Sequence, residues 1–472
     1  MPAQAVGIAG TEALFRSTDI DHLKRVNDMR RDARGVPVSQ GSPEALEHYE
    51  TALRQIQSYI GDPIATLDAA TAASPDFVAG HVAKALVLAT LAERQFQPAI
   101  AQAIAEARRH EGRANDRERG QIAAAQHLAD GRWHDACRTF DAVLAEHPRD
   151  VLSLQIGHLM DFYRGDALNL RNRVARVLPH WSREVPGYSY VLGMYAFGLE
   201  EMNQYPEAEA TARESLALEP TDGWAVHAAT HVMEMQGRID DGAAWLKSRE
   251  SAWAPGSSFA YHNFWHLALF LLDGADHAGA LALYDRSIHP EPAQMLLALV
   301  DATALLWRLR LERADVGRRF EGVADEWEAK LDGEGGFYAF NDFHAALAFS
   351  ATGREAVLER LLSRMAKAAE GDDANAGMTR DVGLPLARAI AAYGRGRHDD
   401  AVDLILPVRD IAHRFGGSHA QRDVIALTLV DAAHRAGRIS LARHVLAERL
   451  VAKPDGRWGR RLLARIGAAP VH

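Results

Sequence analysis

The chain has 472 residues, 48% of them hydrophobic, with 53 Lys+Arg against 63 Asp+Glu and a formal net charge of -10. That acidic balance argues against nucleic acid as a partner, because phosphate binding draws its affinity from a basic face. The single cysteine, Cys137, excludes an internal disulfide and a thiolate zinc cage and points to a reducing compartment, while 22 histidines stand out without an assigned role.

The opening MPAQAVGIAGTEALF lacks the basic start and apolar run of a signal peptide, and no stretch reaches ~18 apolar residues. A soluble, cytoplasmic protein with no membrane contact is expected. Residues 19–34 predict an amphipathic helix carrying Lys24, Arg25, Arg30, Arg31 and Arg34, and GVPVSQGSP reads as a linker. Residues 1–45 therefore form an N-terminal extension and linker, and residues 46–472 one helical repeat domain. Ser42, Pro43 and Glu44 signal the first repeat helix, with proline in its first turn.

From there apolar residues recur at three- and four-residue spacing and hairpin signals of the strand type are nearly absent, so the fold class is all-α. AAAQHLADGRWHDACRTFDAVLAEHPRD and YAFGLEEMNQYPEAEATARESLALEPTD share one plan. A polar turn at Gly131 or Asn203 joins two helices, and Pro148 or Pro220 stops the second 17 residues later. Further units divide at Gly165, Gly237, Gly274 and Gly353, and looser ones near Gly394 and Gly437. This helix–turn–helix spacing resembles the tetratricopeptide repeat and predicts an α-solenoid of stacked hairpins, a superhelix whose concave inner surface comes from the first helix of each unit. Residues 370–379, EGDDANAGMT, read as an exposed loop between hairpins.

In GWAVHAATHVMEMQGR, His227, His231 and Glu234 advance by ~400° and ~300° on a helix and share one stripe. Imidazoles at i and i+4 stand close enough to share a cation, and a carboxylate one turn on serves as third ligand, as partner fixing a tautomer, or as general base. The next repeat, YHNFWHLALF, places His262 and His266 at the same spacing with Asn263 and Trp265 between them. Counted from Gly237 and Gly274 the two pairs are offset by about half a turn, which leaves their convergence open. FYAFNDFHAALAFS sets Asn341, Asp342 and His344 at another helix start, where Asp342 and His344 do not face the same way. In GGSHAQRDV, Gly416 and Gly417 precede a polar helix start, so free N–H groups with Arg422 and Asp423 nearby form a candidate anion site. His158 is a weaker candidate for the inner surface.

The blocks SPDFVAGHVAKALVL, RVLPHW, GYSYVLGMYAFGLEEMNQYPEAE, HAATHVMEMQGRIDDG, HNFWHLAL, VDATALLWRL, NDFHAALA, RDVGLPL and GGSHAQRDV occur in order over most of residues 70–430, and together they resemble the tetratricopeptide repeat protein 38 family. The resemblance implies a soluble helical-repeat protein and carries no settled activity. It extends to His227, His231, Glu234, His262, Asn263, Trp265, His266, Asn341, Asp342, His344, Arg422 and Asp423, while His419 departs from the pattern. Repeats of the tetratricopeptide type use the fifth, ninth and twelfth places to face a ligand. With Gly237 as the fifteenth, His227, His231 and Glu234 take those places and are expected on the concave surface.

The expected function is divalent metal binding (Zn, Fe or Mn) by His227, His231, His262 and His266. Glu234, Asp342 and His344 are the candidate catalytic groups, and Asn263, Trp265, Arg422 and Asp423 the candidate ligand contacts. A metal-dependent hydrolase or oxygenase fits this set, with no organic cofactor evident. A small molecule or a peptide would occupy the groove. The alternative is a peptide- or protein-binding scaffold without catalysis, lined by Trp224, Tyr261, Trp265 and Phe340.

Overall fold

A computed structural model describes residues 30–467. Within them the chain forms eleven antiparallel helical hairpins, from Pro43–Ser58 paired with Pro63–Ala73 through His419–Arg435 paired with Ile439–Ala452, closed by a last helix, Arg457–Gly467. The fold is an all-α solenoid of tetratricopeptide type. No helix among the described residues is long and apolar enough to cross a membrane.

The turns follow from backbone chemistry. A helix that reverses within a few residues places its C-terminal neighbour in the left-handed region, where glycine and asparagine carry the smallest steric cost. Gly131, Gly165, Asn203, Gly237, Gly353 and Gly437 all have φ between 61° and 75°. Two turns differ from the sequence reading. After the helix Ala260–Asp273 the left-handed residue is Ala275 (φ 67°) rather than Gly274, and near residue 394 it is Gly396 (φ 74°). Gly394 still belongs to its helix and lets it approach Ser350 closely.

First and second helices of the hairpins differ in burial. In Gly223–Gln236 every residue from Gly223 to Met235 is buried, and Val151–Tyr163, Ala260–Asp273, Leu296–Leu311 and Ala339–Thr352 are nearly as enclosed. A helix apolar all round belongs inside, whereas second helices such as Glu355–Ala368 keep a polar outer face. The superhelix winds so tightly that its concave face is filled. Successive turns meet where Ser258 N–H donates to Tyr59 O (2.8 Å), His419 N–H to Glu201 Oε1 (2.9 Å), and Arg457 N–H to Asp273 Oδ1 (2.6 Å).

Three local expectations need correction. Arg30–Arg31 is a strand paired with Pro37–Val38, so the basic helix does not extend to residue 34, and residues 19–29, with Lys24 and Arg25, lie outside the described part. Arg34 is buried between Asp32 and Glu50, and the segment read as a linker packs down, with Val38 fully buried and Ser39 N–H donating to Glu118. Residues 370–379 hold a short helix, Ala374–Met378, capped by Asp373 and tied to Gly131 O by Ala374 N–H.

Gly165 and Gly437 isolate the contribution of winding. Both have positive φ, but a Cβ at Gly437 meets open space, whereas one at Gly165 collides with the His413 carbonyl of a distant turn. Gly437→Ala is expected to cost ~1–2 kcal/mol, and Gly165→Ala a further ~1–3 kcal/mol from overpacking. Equal losses in urea unfolding would show that turn-to-turn contact does not stabilise the fold.

Candidate metal centre

The two histidine-bearing helices are held by their ends. Asp222 caps Gly223–Gln236 by accepting from Trp224 and Ala225 N–H, and Gly237 ends it. Ala260–Asp273 lies beside it as the next inner helix. Their i,i+4 histidines therefore meet across the interface despite the half-turn offset. One ring nitrogen from each of His227, His231, His262 and His266 lies within 4.8 Å of the others, and the two Nε2 atoms of His227 and His262 are 3.1 Å apart. Tetrahedral zinc with ~2.0–2.1 Å bonds spaces its nitrogens by about 3.3 Å, so small ring movements would close this set on one ion.

Carboxylates stand behind the rings. Asp301 Oδ2 is 2.6 Å from His262 Nδ1, Glu234 Oε2 is 2.8 Å from His266 Nδ1, and Glu200 Oε2 is 3.4 Å from His231 Nδ1. A carboxylate accepting from Nδ1–H fixes the tautomer that turns the Nε2 lone pair inward, the arrangement common behind metal-bound histidines. His227 Nδ1, both nitrogens of His231 and His266 Nε2 have no hydrogen-bond partner among the described residues, and neither does Glu200, whose approach to His231 is no hydrogen bond. Lys453 Nζ bonds Glu234 Oε1 at 3.1 Å and approaches Asp423, which Arg449 grips at 2.9 and 3.0 Å.

Burial sets the protonation. It pushes His231 down to about 4, although Glu201 and Glu234 oppose the shift, and it drives His227 and His266 well below the usual range with help from neighbouring imidazoles. Neutral imidazole is the ligating form. Glu200 is raised by burial and by Glu201 beside it. For Asp423 burial alone would raise the carboxyl, but Arg449 and Lys453 hold it far below its ordinary value.

The remaining predicted residues separate from this cluster. His344 Nδ1 donates to Phe340 O (2.8 Å) and packs on Phe340 and Phe343, and Asp342 accepts from Gly336 N–H (3.0 Å), so neither joins the four histidines. Burial raises Asp342 to about 7 and lowers His344 to about 3. Asn263 bonds Gly223 O, and Trp265 is fully buried, stacked on His262 beneath Arg308. Phe340 packs on Phe415, away from the cavity described below. Glu234 is a hydrogen-bond partner of His266 and Lys453, so it stands beside the histidines through His266. At the expected anion site the chain supplies its own anion: Glu201 accepts from His419 N–H and pairs with Arg422, while Ser418 and Gln421 form a capping box. His158 Nδ1 donates to Leu170 O with its ring against Phe197 and Trp224.

Asp301, Glu200 and Lys453 were not singled out from the sequence. Asp301 had a signal: a lone carboxylate inside LLALVDATALLW has to find a partner when buried. Beside His227, His262 and Asp301 lies a cavity of about 160 Å³ whose walls include Tyr59, Phe162, Phe197, Trp224, Phe259 and Tyr261.

The chain is thus a tetratricopeptide-type helical-repeat protein with a buried histidine and carboxylate cluster. No family model matches it. Among solved structures it is similar to the human IFIT1 dimer with PPP-AAAA, at 12% identity and TM-score 0.42, covering 92% of this chain and 96% of that one. The human IFIT1 dimer with m7Gppp-AAAA aligns at 14% identity and TM-score 0.42 over the same shares, and an IFIT1 monomeric mutant with Gppp-AAAA at 12% and 0.43 over 94% and 97%.

Buried neutral histidines tie stability to pH. His158 and His231 sit at about 4 and His344 at about 3 in the folded chain, against 6.5 ordinarily. The unfolded chain therefore binds more protons in this interval, and stability falls as pH drops below 6.5, by ~1.4 kcal/mol per pH unit for each such group. Urea unfolding of metal-free protein between pH 7 and 5 should show this fall, and His344→Gln should flatten it by up to one proton. An unchanged slope in that variant would contradict a buried neutral His344.

Proposed function

We propose that this chain, a tetratricopeptide-repeat protein of the tetratricopeptide repeat protein 38 kind, holds one divalent metal ion on His227, His231, His262 and His266 and acts through it on a small molecule in the adjoining cavity. The observation that carries the reading is the convergence of the four rings: the outward nitrogens of His262 and His266 bond Asp301 and Glu234, and the inward nitrogens meet within 4.8 Å with His231 Nε2 and His266 Nε2 unpartnered. Each orphaned buried polar atom costs ~1–3 kcal/mol, and His158 and His344 leave Nε2 unpartnered as well, so what sets these four apart is the convergence of their nitrogens on one point. A dication satisfies the converging nitrogens together, and Asp301 and Glu234 offset its charge.

Imidazoles without thiolates suit zinc, iron or manganese. Four histidines complete zinc's usual set, whereas iron or manganese keeps open positions, and the cavity lies on the His227 and His262 side. An ion with an open position supplies a metal-bound water for hydrolysis or a site for oxygen activation. The protein's own groups position it: Asp301 orients His262, Glu234 orients His266, and Lys453 steadies Glu234. A small molecule is favoured over an extended peptide because the two histidine-bearing helices are buried along nearly their whole length. A cytoplasmic setting belongs to the same reading, since the one thiol, Cys137, is buried and unpaired.

Elemental analysis of protein purified without a histidine tag should give close to one equivalent of Zn, Fe or Mn. His227→Ala and His266→Ala should bring it below about a tenth, and Asp301→Asn should weaken affinity by ~10–100-fold while leaving all four ligands. Wild-type protein with under about a tenth of an equivalent, and no thermal shift when these metals are added, would defeat the proposal.

A further inference from the structure

The cavity beside the histidines has a consistent chemistry. Its volume of about 160 Å³ is close to the ~150 Å³ apolar cavity that admits benzene. Phe162, Phe197, Trp224 and Phe259 present ring faces or edges to it, and no lysine or arginine is among its described walls. Asp301 is its one carboxylate. A phosphate or carboxylate entering here would lose its hydration, find no cation and meet Asp301.

Two of the wall residues each carry a polar atom that has no partner within the protein. Trp224 Nε1 and His227 Nδ1 are buried and without partners. An indole N–H only donates, and a neutral His227 whose Nε2 is committed to a metal carries its proton on Nδ1 and donates as well. The complement of two donors in an aromatic enclosure is one acceptor oxygen on an apolar body.

We infer that the site takes an uncharged molecule about the size of one aromatic ring, bearing a carbonyl or hydroxyl oxygen, its ring between Phe197, Trp224 and Phe259 and its oxygen toward Trp224 and His227. The assignment rests on the metal reading for the proton on His227, while the selectivity for size and charge stands on the cavity alone.

Calorimetric titration of the full chain, zinc-loaded and metal-free, with acetophenone, benzoate and phenyl phosphate tests it. Acetophenone is expected to bind one-to-one, and the two anions at least ~10-fold more weakly. Leu159→Trp, which fills the cavity from Val151–Tyr163 without altering a histidine, should abolish acetophenone binding and leave zinc uptake intact. Should that variant fail to fold, the comparison of neutral and anionic rings on the wild type still decides. Anions binding as tightly as acetophenone, or a folded Leu159→Trp protein retaining it, would overturn the inference. Zinc uptake without acetophenone binding sinks the substrate class alone, and acetophenone binding without zinc uptake sinks the metal reading alone.

Discussion

The contact on which the surrounding structure depends is that between His227 Nε2 and His262 Nε2, 3.1 Å apart between two buried rings. Two bare lone pairs repel at that distance, so one nitrogen carries a proton or both face a cation. Asp301 settles the choice for His262: it accepts from Nδ1, leaving the Nε2 lone pair inward. Without an ion, the proton of that contact sits on His227 Nε2. With an ion bound there it moves to His227 Nδ1, so that ligation would need a change of tautomer and no net loss of charge from the ring.

That contact constrains the architecture around it. Polar rings on helices buried all round need partners from other elements: Glu200 and Asp301 come from the inner helices of the neighbouring hairpins, and Lys453 from the last hairpin, far along the chain. The winding of the superhelix is what brings Lys453 within reach. Beside the histidines it leaves a ring-lined cavity.

The hairpin architecture was legible in the sequence because its punctuation is local. Gly131, Gly165, Asn203, Gly237 and Gly353 mark the turns, since a reversed helix end requires a left-handed residue there. The histidine pairs were legible because i,i+4 spacing fixes a shared face whatever the tertiary structure. Convergence of the two pairs was not, because it depends on how adjacent inner helices slide, and the offset counted from Gly274 ignored that Ala275 makes the turn. Asp342 and His344 resembled site residues by composition, but Asp342 receives Gly336 N–H and His344 bonds its own helix. Arg422 resembled an anion clamp, yet Glu201, more than two hundred residues earlier, already fills that place. Such long-range partnerships leave no periodic trace.

The reach of Lys453 across the superhelix bears on how the molecule assembles. Solenoids commonly grow by adding repeats that need only their neighbours. Here the four histidines and their flanking acids lie between Glu200 and Asp301, but the cation that steadies Glu234 is made more than two hundred residues after it. During synthesis the cluster would stand unsealed until nearly the whole chain has emerged. The interval before the last hairpin docks is then when the histidines stand most open to solvent, and a chain truncated before Lys453 would keep every ring yet leave their setting unfinished.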